Sequence, residues 1–189
     1  MFTLNLTQKL NESLTILYPK NTEEVMKCVE IGSFEGKGSI LIHNKLCKNK
    51  DSVLYCIDPF DNEYVKNNKK MAFWNHACNG QYKRFKYNTH NITKIKEMRG
   101  YSDNMIPLLD DNSIDFCYID GDHSPEQVYK DIINMFKKMK NKGIVLFDDY
   151  LWEVNDVITK KGIDKFLLEY KDHCELLIKD YQLAIRIIK

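Results

Sequence analysis

Val25-Met-Lys-Cys-Val-Glu-Ile31-Gly32-Ser-Phe-Glu-Gly36-Lys-Gly38-Ser39 sets a short apolar run directly against a glycine-rich turn. The run is too short for a helix and rich in β-branched residues, so it reads as a buried strand that ends at Gly32. The chain then turns through Gly32–Gly38 into a helix reaching about Cys47. The same grammar recurs downstream. Ser52-Val-Leu-Tyr-Cys-Ile57 is a strand ending at Asp58-Pro59, Lys94–Arg99 is a short strand, and Ile114-Asp-Phe-Cys-Tyr-Ile119 ends at Asp120-Gly-Asp122-His123. Ile144-Val-Leu-Phe147 runs straight into Asp148-Asp149, and two closing strands cover 174–179 and 181–188.

Between these strands lie helical patterns. Asn5 to Tyr18 carries Leu6, Leu10, Leu14 and Leu17 at helical spacing, with Pro19 closing it. Ser124-Pro125 with Gln127 forms a Ser-x-x-Gln capping box ahead of a stripe of Val128, Ile132, Met135 and Met139. Residues 64–88 read as irregular helix, and 155–171 as a helix broken near Gly162. Strands written as continuous apolar runs and alternating with helices imply an α/β fold, with a largely parallel sheet covered on both faces. Ligands of such sheets sit beyond the carboxyl ends of the strands. The functional residues are therefore expected in the few positions just past each strand.

The chain has 189 residues, 28 basic against 27 acidic side chains, a net charge of +1 and 43% apolar content. A chain of this length buries roughly 70% of its unfolded surface, which suits a single domain over 1–189 without metal or disulfide staples. No apolar run approaches the roughly 18 to 20 residues that cross a bilayer. Polar residues interrupt the N-terminal pattern, so no signal peptide is expected. Six scattered cysteines without a C-x-x-C pair read as free thiols, those at 28, 56 and 117 as small core hydrophobes. A cytoplasmic protein is expected.

The near-zero charge is unevenly spread. From Tyr64 to Lys96 the chain carries Lys66, Lys69, Lys70, Lys83, Arg84, Lys86, Lys94 and Lys96 and no acid, interleaved with Phe73, Trp74, Tyr82, Phe85 and Tyr87. Three readings stay open for this segment: a basic lid over an anionic acceptor, a single-stranded nucleic-acid surface, or a solvated lysine-rich face.

At the strand ends the chemistry is more definite. Glycines at a strand-to-helix turn let a ligand approach the backbone, beside free N–H groups at the helix N-terminus. The spacing is G-x-x-x-G-x-G, not the G-x-G-x-x-G of dinucleotide enzymes, so a dehydrogenase is disfavoured. Asp58, ending the next strand, is placed to accept two hydrogen bonds from a ribose diol. Asp120 ends one strand, and Asp148 and Asp149 end the next in chain order. If those strands are neighbours, about 4.8 Å apart, three carboxylates converge and would repel one another without a cation. All-oxygen ligation suits Mg²⁺ or a similar hard ion. His123 and Asp122 are the two candidates for a catalytic base, and Tyr150 and Trp152 are candidates to wall an acceptor pocket.

Val-Glu-Ile-Gly-Ser-Phe-Glu-Gly and Cys-Ile-Asp58 resemble the first motif and the ribose-binding acid of class I S-adenosylmethionine-dependent methyltransferases. Arg99-Gly-Tyr-Ser102, Asp120-Gly-Asp-His-Ser and Lys142-Gly-Ile-Val-Leu-Phe-Asp-Asp-Tyr150 resemble the macrocin-type, sugar and small-molecule O-methyltransferase branch. The likeness runs from about Val25 to Tyr181-Gln-Leu-Ala-Ile-Arg. It implies a Rossmann-like seven-stranded sheet of order 3-2-1-4-5-7-6 with the last strand antiparallel. It also implies cofactor contacts from Glu30, Gly32, Ser33, Gly36, Ser39, Asp58, Ser102 (at the adenine) and Asp120, and a divalent metal on Asp120, Asp148 and Asp149. The segment 64–90 becomes a lid or acceptor-binding piece. The expected acceptor is a small molecule, a sugar or nucleotide sugar. A nucleic-acid methyltransferase and a non-catalytic S-adenosylmethionine binder are the rival readings, and a homo-oligomer is compatible with all of them.

Overall fold

The computed structural model describes residues 2–20, 22–60, 79–154 and 156–189, with side chains from Thr7 onward. The chain begins with α1 (Phe2–Leu17), then β1 (Lys27–Ile31), α2 (Lys37–Leu46), β2 (Val53–Asp58), α3 (Gln81–Thr89) and β3 (Ile95–Arg99). A helical turn, Ser102–Met105, leads to β4 (Ile114–Ile119), α4 (Pro125–Lys138) and β5 (Met139–Phe147). A small ribbon pairs Glu153–Val154 with Val157–Ile158, and the chain ends with α5 (Lys160–Glu169), β6 (Cys174–Lys179) and β7 (Leu183–Ile187).

The strands form one sheet in the order β3-β2-β1-β4-β5-β7-β6. β3, β2, β1, β4 and β5 pair in parallel, while β7 runs antiparallel to both β5 and β6. This is the Rossmann-like methyltransferase fold and strand order that the resemblance implied.

Strand periodicity divides the core into two layers. Val29, Ile31, Cys117, Ile119, Val145 and Phe147 face α4 and α5, where they meet Val128, Ile132, Met135, Ile163 and Phe166. Cys28, Cys56, Phe116, Tyr118, Ile144 and Leu146 face Leu10 and Leu14 of α1, Ile42 and Leu46 of α2, and Phe85 of α3. Both faces are covered, which explains why the strands lack polar alternation.

Two local expectations change. β5 begins at Met139, not Ile144, because the chain extends as soon as α4 stops and pairs Met139 with Ile114 across a register shift. Gly162 does not break a helix. It sits in the first turn of α5, where a Cβ would lie 2.1 Å from the Pro125 carbonyl oxygen, so glycine lets α5 approach the start of α4. The expected segment 64–88 lies outside the described residues except for its end, which is α3. Among the described residues, no helix is long and apolar enough to cross a membrane.

Candidate active site

Five strands deliver the site by a staircase of four backbone hydrogen bonds. Gly32 N–H donates to Ile57 O at 2.9 Å, Asp120 N–H to Ile31 O at 2.8 Å, Asp148 N–H to Ile119 O at 2.9 Å and Gly100 N–H to Asp58 O at 3.0 Å. The carboxyl ends of β1 to β5 are thereby levelled along one edge. Gly32 is required there for more than ligand access: its φ is +88°, and a Cβ would stand 2.1 Å from Asp120 O.

The glycine loop closes on itself when Gly36 N–H donates to Ser33 O at 2.8 Å, with Ser33 buried. Gly36, at φ +84°, is the N-cap of α2, and no side chain among the described residues caps that helix. The first turn of α2 thus suits an anionic group such as a carboxylate. Glu30, buried beneath the loop, accepts a hydrogen bond from the Ser39 hydroxyl and lies 3.6 Å from the Cys56 thiol. Burial pushes its carboxyl up to about 7. Gly38 leaves room for it, since a Cβ there would be 2.5 Å from Glu30 Oε1.

Asp58 ties the ends of β1 and β2 together. Its Oδ2 accepts Phe34 N–H at 2.9 Å, and its Oδ1 accepts Phe60 N–H at 2.6 Å and Gln81 Nε2–H at 3.2 Å. Phe34 and Phe60 both hold left-handed backbones, φ +46° and +52°. The carboxylate on which the ribose reading rests therefore also shapes the loop above it.

Ser102 opens the turn after β3 and donates its hydroxyl to Asp131 Oδ1 at 2.6 Å. Gln127 Nε2 reaches Ser102 Oγ at 3.2 Å and Asp131 Oδ1 at 2.9 Å. Asp131 is buried, and burial raises its carboxyl to about 6. The expected capping box is half formed. Ser124 Oγ accepts Gln127 N–H at 3.4 Å, but Ser124 N–H donates to Asp122 Oδ1 at 2.7 Å, which frees the Gln127 amide for Ser102.

β4 and β5 are neighbours, with Ile119 beside Phe147, so Asp120 and Asp148 extend adjacent strands. One ligand atom each from Asp120, His123 and Asp149 lie within 4.8 Å of one another. His123 Nδ1 is 3.5 Å from Asp149 Oδ2, and its ring packs on Trp152 with centroids 4.6 Å apart. Asp149 adopts φ +48° and accepts the Tyr181 hydroxyl at 2.5 Å. Asp148 Oδ1 accepts Gln182 Nε2–H at 2.5 Å, while its buried Oδ2 has no hydrogen-bond partner among the described residues.

Burial, then the charges of Asp148 and Asp149, hold the Asp120 carboxyl well above the usual range. Burial, then Asp149, raises Asp148 to about 6. Burial lowers the His123 imidazole, leaving it neutral and able to accept a proton or a metal. Clustered carboxyls that raise one another, with one oxygen left without a hydrogen bond, fit a divalent cation. The grouping differs from the expected one in a single respect: His123 completes the triangle, and Asp148 stands beside it.

Of the aromatic candidates, Trp152 borders the site through His123, whereas Tyr150 is buried in the core with its hydroxyl on Asp164 Oδ1 at 2.8 Å. Sequence reasoning missed Tyr181, Gln182 and Asp131 as partners of site residues. The first two stand in the turn just before β7, in the closing stretch of the family likeness, where no residue had been given a role.

A methyltransferase-domain family model matches residues 29–150. An uncharacterized protein of Acanthamoeba polyphaga mimivirus is 37% identical over 128 residues, which cover 65% of this chain and 50% of that one. The chain thus spans half the length of this relative. Among solved structures, the O-methyltransferase NovP superposes with a TM-score of 0.66 at 14% identity, covering 97% of this chain and 79% of that one. The O-methyltransferase TomG of Streptomyces achromogenes, solved with S-adenosylmethionine, gives a TM-score of 0.60 at 14% identity with the same coverage. The family match spans the glycine loop, Asp58, Ser102 and all four residues of the acid–histidine cluster, and this chain belongs to the class I S-adenosylmethionine-dependent methyltransferase family.

Proposed function

We propose that this chain transfers the methyl group of S-adenosylmethionine to a hydroxyl of a small acceptor, a sugar or nucleotide-linked sugar, with a divalent cation, Mg²⁺, at the acid cluster. The observation that carries this reading is the triangle of Asp120, His123 and Asp149 within 4.8 Å beyond the ends of β4 and β5. Asp120, Asp149 and the neighbouring Asp148 would hold the ion. When bound, it supplies Lewis acidity and a template for two adjacent acceptor hydroxyls. The loop from Gly32 to Ser39 with Glu30, together with Asp58 and Ser102, would hold the methionine, ribose and adenine parts of the donor.

In the transfer, the acceptor oxygen forms a bond to the methyl carbon as the carbon–sulfur bond breaks. S-adenosylhomocysteine leaves, and the acceptor's proton passes to His123. The imidazole is suited to that role because burial favours its neutral form. Asp122 is less suited, because its Oδ1 holds the Ser124 amide.

NovP and TomG, both named as O-methyltransferases, support a hydroxyl acceptor. A nucleic-acid acceptor is disfavoured by the described part of the basic segment. Arg84 is 2.6 Å from Glu35, Lys86 is 3.2 Å from Glu97, and Lys94 is bonded to the Cys47 carbonyl. A cytoplasmic setting is supported by the five described cysteines, all free thiols.

The test is S-adenosylhomocysteine release across hydroxylated acceptors, nucleotide sugars included, with and without chelator. Turnover lost in chelator and restored by Mg²⁺ is expected, and full turnover in chelator rejects the metal role. The triangle also favours a second reading in which His123 is a ligand. In that case His123→Ala would weaken Mn²⁺ binding itself.

A further inference from the structure

Two side-chain relays run from the N-terminal helix to the paired aspartates. In the first, the Ser13 hydroxyl donates to Gln182 Oε1 at 2.6 Å and Gln182 Nε2 donates to Asp148 Oδ1 at 2.5 Å, with all three residues buried. In the second, the Lys9 ammonium lies 4.1 Å above the Tyr181 ring, and the Tyr181 hydroxyl donates to Asp149 Oδ1. The relays are parallel. Lys9 and Ser13 are one helical turn apart on the same face of α1, Tyr181 and Gln182 are consecutive, and so are Asp148 and Asp149.

The chemistry sets the direction of the first relay. An ionised carboxylate only accepts hydrogen bonds, so the amino end of Gln182 faces Asp148 and its carbonyl is left for a hydroxyl. Ser13 supplies that hydroxyl. The result is a carboxylate with Oδ1 engaged and Oδ2 without a hydrogen-bond partner among the described residues. Leu10 and Leu14 also bury against the sheet, so apolar packing contributes to the docking of α1 beside the polar relay, which adds direction to it.

We infer that Ser13 and Lys9 of the N-terminal helix are positioning residues for the cation site, acting through Gln182 and Tyr181, so that docking of α1 and binding of a divalent cation are linked. This rests on the proposed metal reading. Groups that orient ligands from behind typically change metal affinity 10- to 100-fold. Linkage also requires the cation to steady α1 as much as α1 steadies the cation.

The experiment titrates Mn²⁺, read by electron paramagnetic resonance, into the full chain and its Ser13→Ala, Ser13→Thr and Tyr181→Phe variants. Amide exchange over residues 9–17 is followed with and without Mn²⁺. The expected results are about tenfold weaker Mn²⁺ binding in Ser13→Ala and Tyr181→Phe, recovery in Ser13→Thr, and slower α1 exchange with Mn²⁺ in the wild type. Tyr181→Phe removes one hydroxyl, so it keeps the test open should Ser13→Ala fail to fold. Mn²⁺ binding in the wild type that is unchanged in the folded variants would overturn this inference alone. No Mn²⁺ binding in the wild type would overturn it together with the metal reading.

Discussion

His123 Nδ1 stands 3.5 Å from Asp149 Oδ2, joining the loop after β4 to the end of β5. Burial alone would favour a neutral, unanchored imidazole. The aspartate on one side and Trp152 on the other fix its plane instead. Held in this way, the base proposed here would lose little entropy on taking a proton, as effective general-base catalysis requires.

Replacing His123 by Ala is expected to lower turnover by roughly 10²- to 10⁴-fold while S-adenosylmethionine affinity changes less than twofold. Rapid-quench turnover beside calorimetric binding separates the two. Equal loss of both would assign His123 to folding of the loop.

Asp58→Ala is expected to weaken S-adenosylmethionine binding about tenfold, roughly 1.4 kcal/mol. On the proposed reading the variant loses an acceptor for the donor's diol, and it also loses the anchor of the Phe34 and Phe60 amides. Unchanged calorimetric affinity would contradict the ribose assignment.

Glu30 gives the metal-free protein a pH dependence of definite sign. Its folded value, about 7, lies above its ordinary value of 4.5. Between these two values the folded state holds more protons than the unfolded one, so stability falls as pH rises through that window. The expected loss is roughly 3 kcal/mol from this group. Urea unfolding at pH 5 and pH 8 should show wild type losing stability relative to Glu30→Gln by that order, and parallel curves would refute the assignment.

Glycine positions should separate sharply in stability. Gly32→Ala puts a Cβ against Asp120 O and demands φ +88° of an alanine, so the melting temperature should fall by more than about 5 °C. Gly80→Ala shares the left-handed strain, at φ +74°, but among the described residues its Cβ meets only the flexible end of Arg84 at 3.4 Å, so it should cost about 1 to 2 kcal/mol. Comparable losses at both positions would mean that the packing of Gly32 on the end of β4 is not what demands glycine there.

Much of this protein is legible in its residues. Val25–Ile31, Ser52–Ile57 and Ile114–Ile119 are mainly apolar, with Lys27, Glu30 and Asp115 as charged exceptions, because their strands are buried on both faces. A parallel sheet then places its chemistry at their carboxyl ends, which is why Gly32, Asp58, Asp120 and Asp148–Asp149 stand out in the sequence alone. The local signals fail where a distant partner makes the decision. Gly162 looks like a breaker until the Pro125 carbonyl is seen 2.1 Å from where its Cβ would be. Gln127 looks like a capping-box arm until Asp122 takes the Ser124 amide.

Periodicity and neighbours a few positions away were enough to establish the fold class, the strand ends and the residue types that chemistry could use there. Three-dimensional packing was needed to turn His123 rather than Asp122 into the acid cluster. The same packing seats Tyr150 in the core and brings Ser13 to within a single glutamine of Asp148. Those outcomes depend on contacts between residues up to 169 positions apart, where packing of helices on a sheet, and no local propensity, sets which side chains meet.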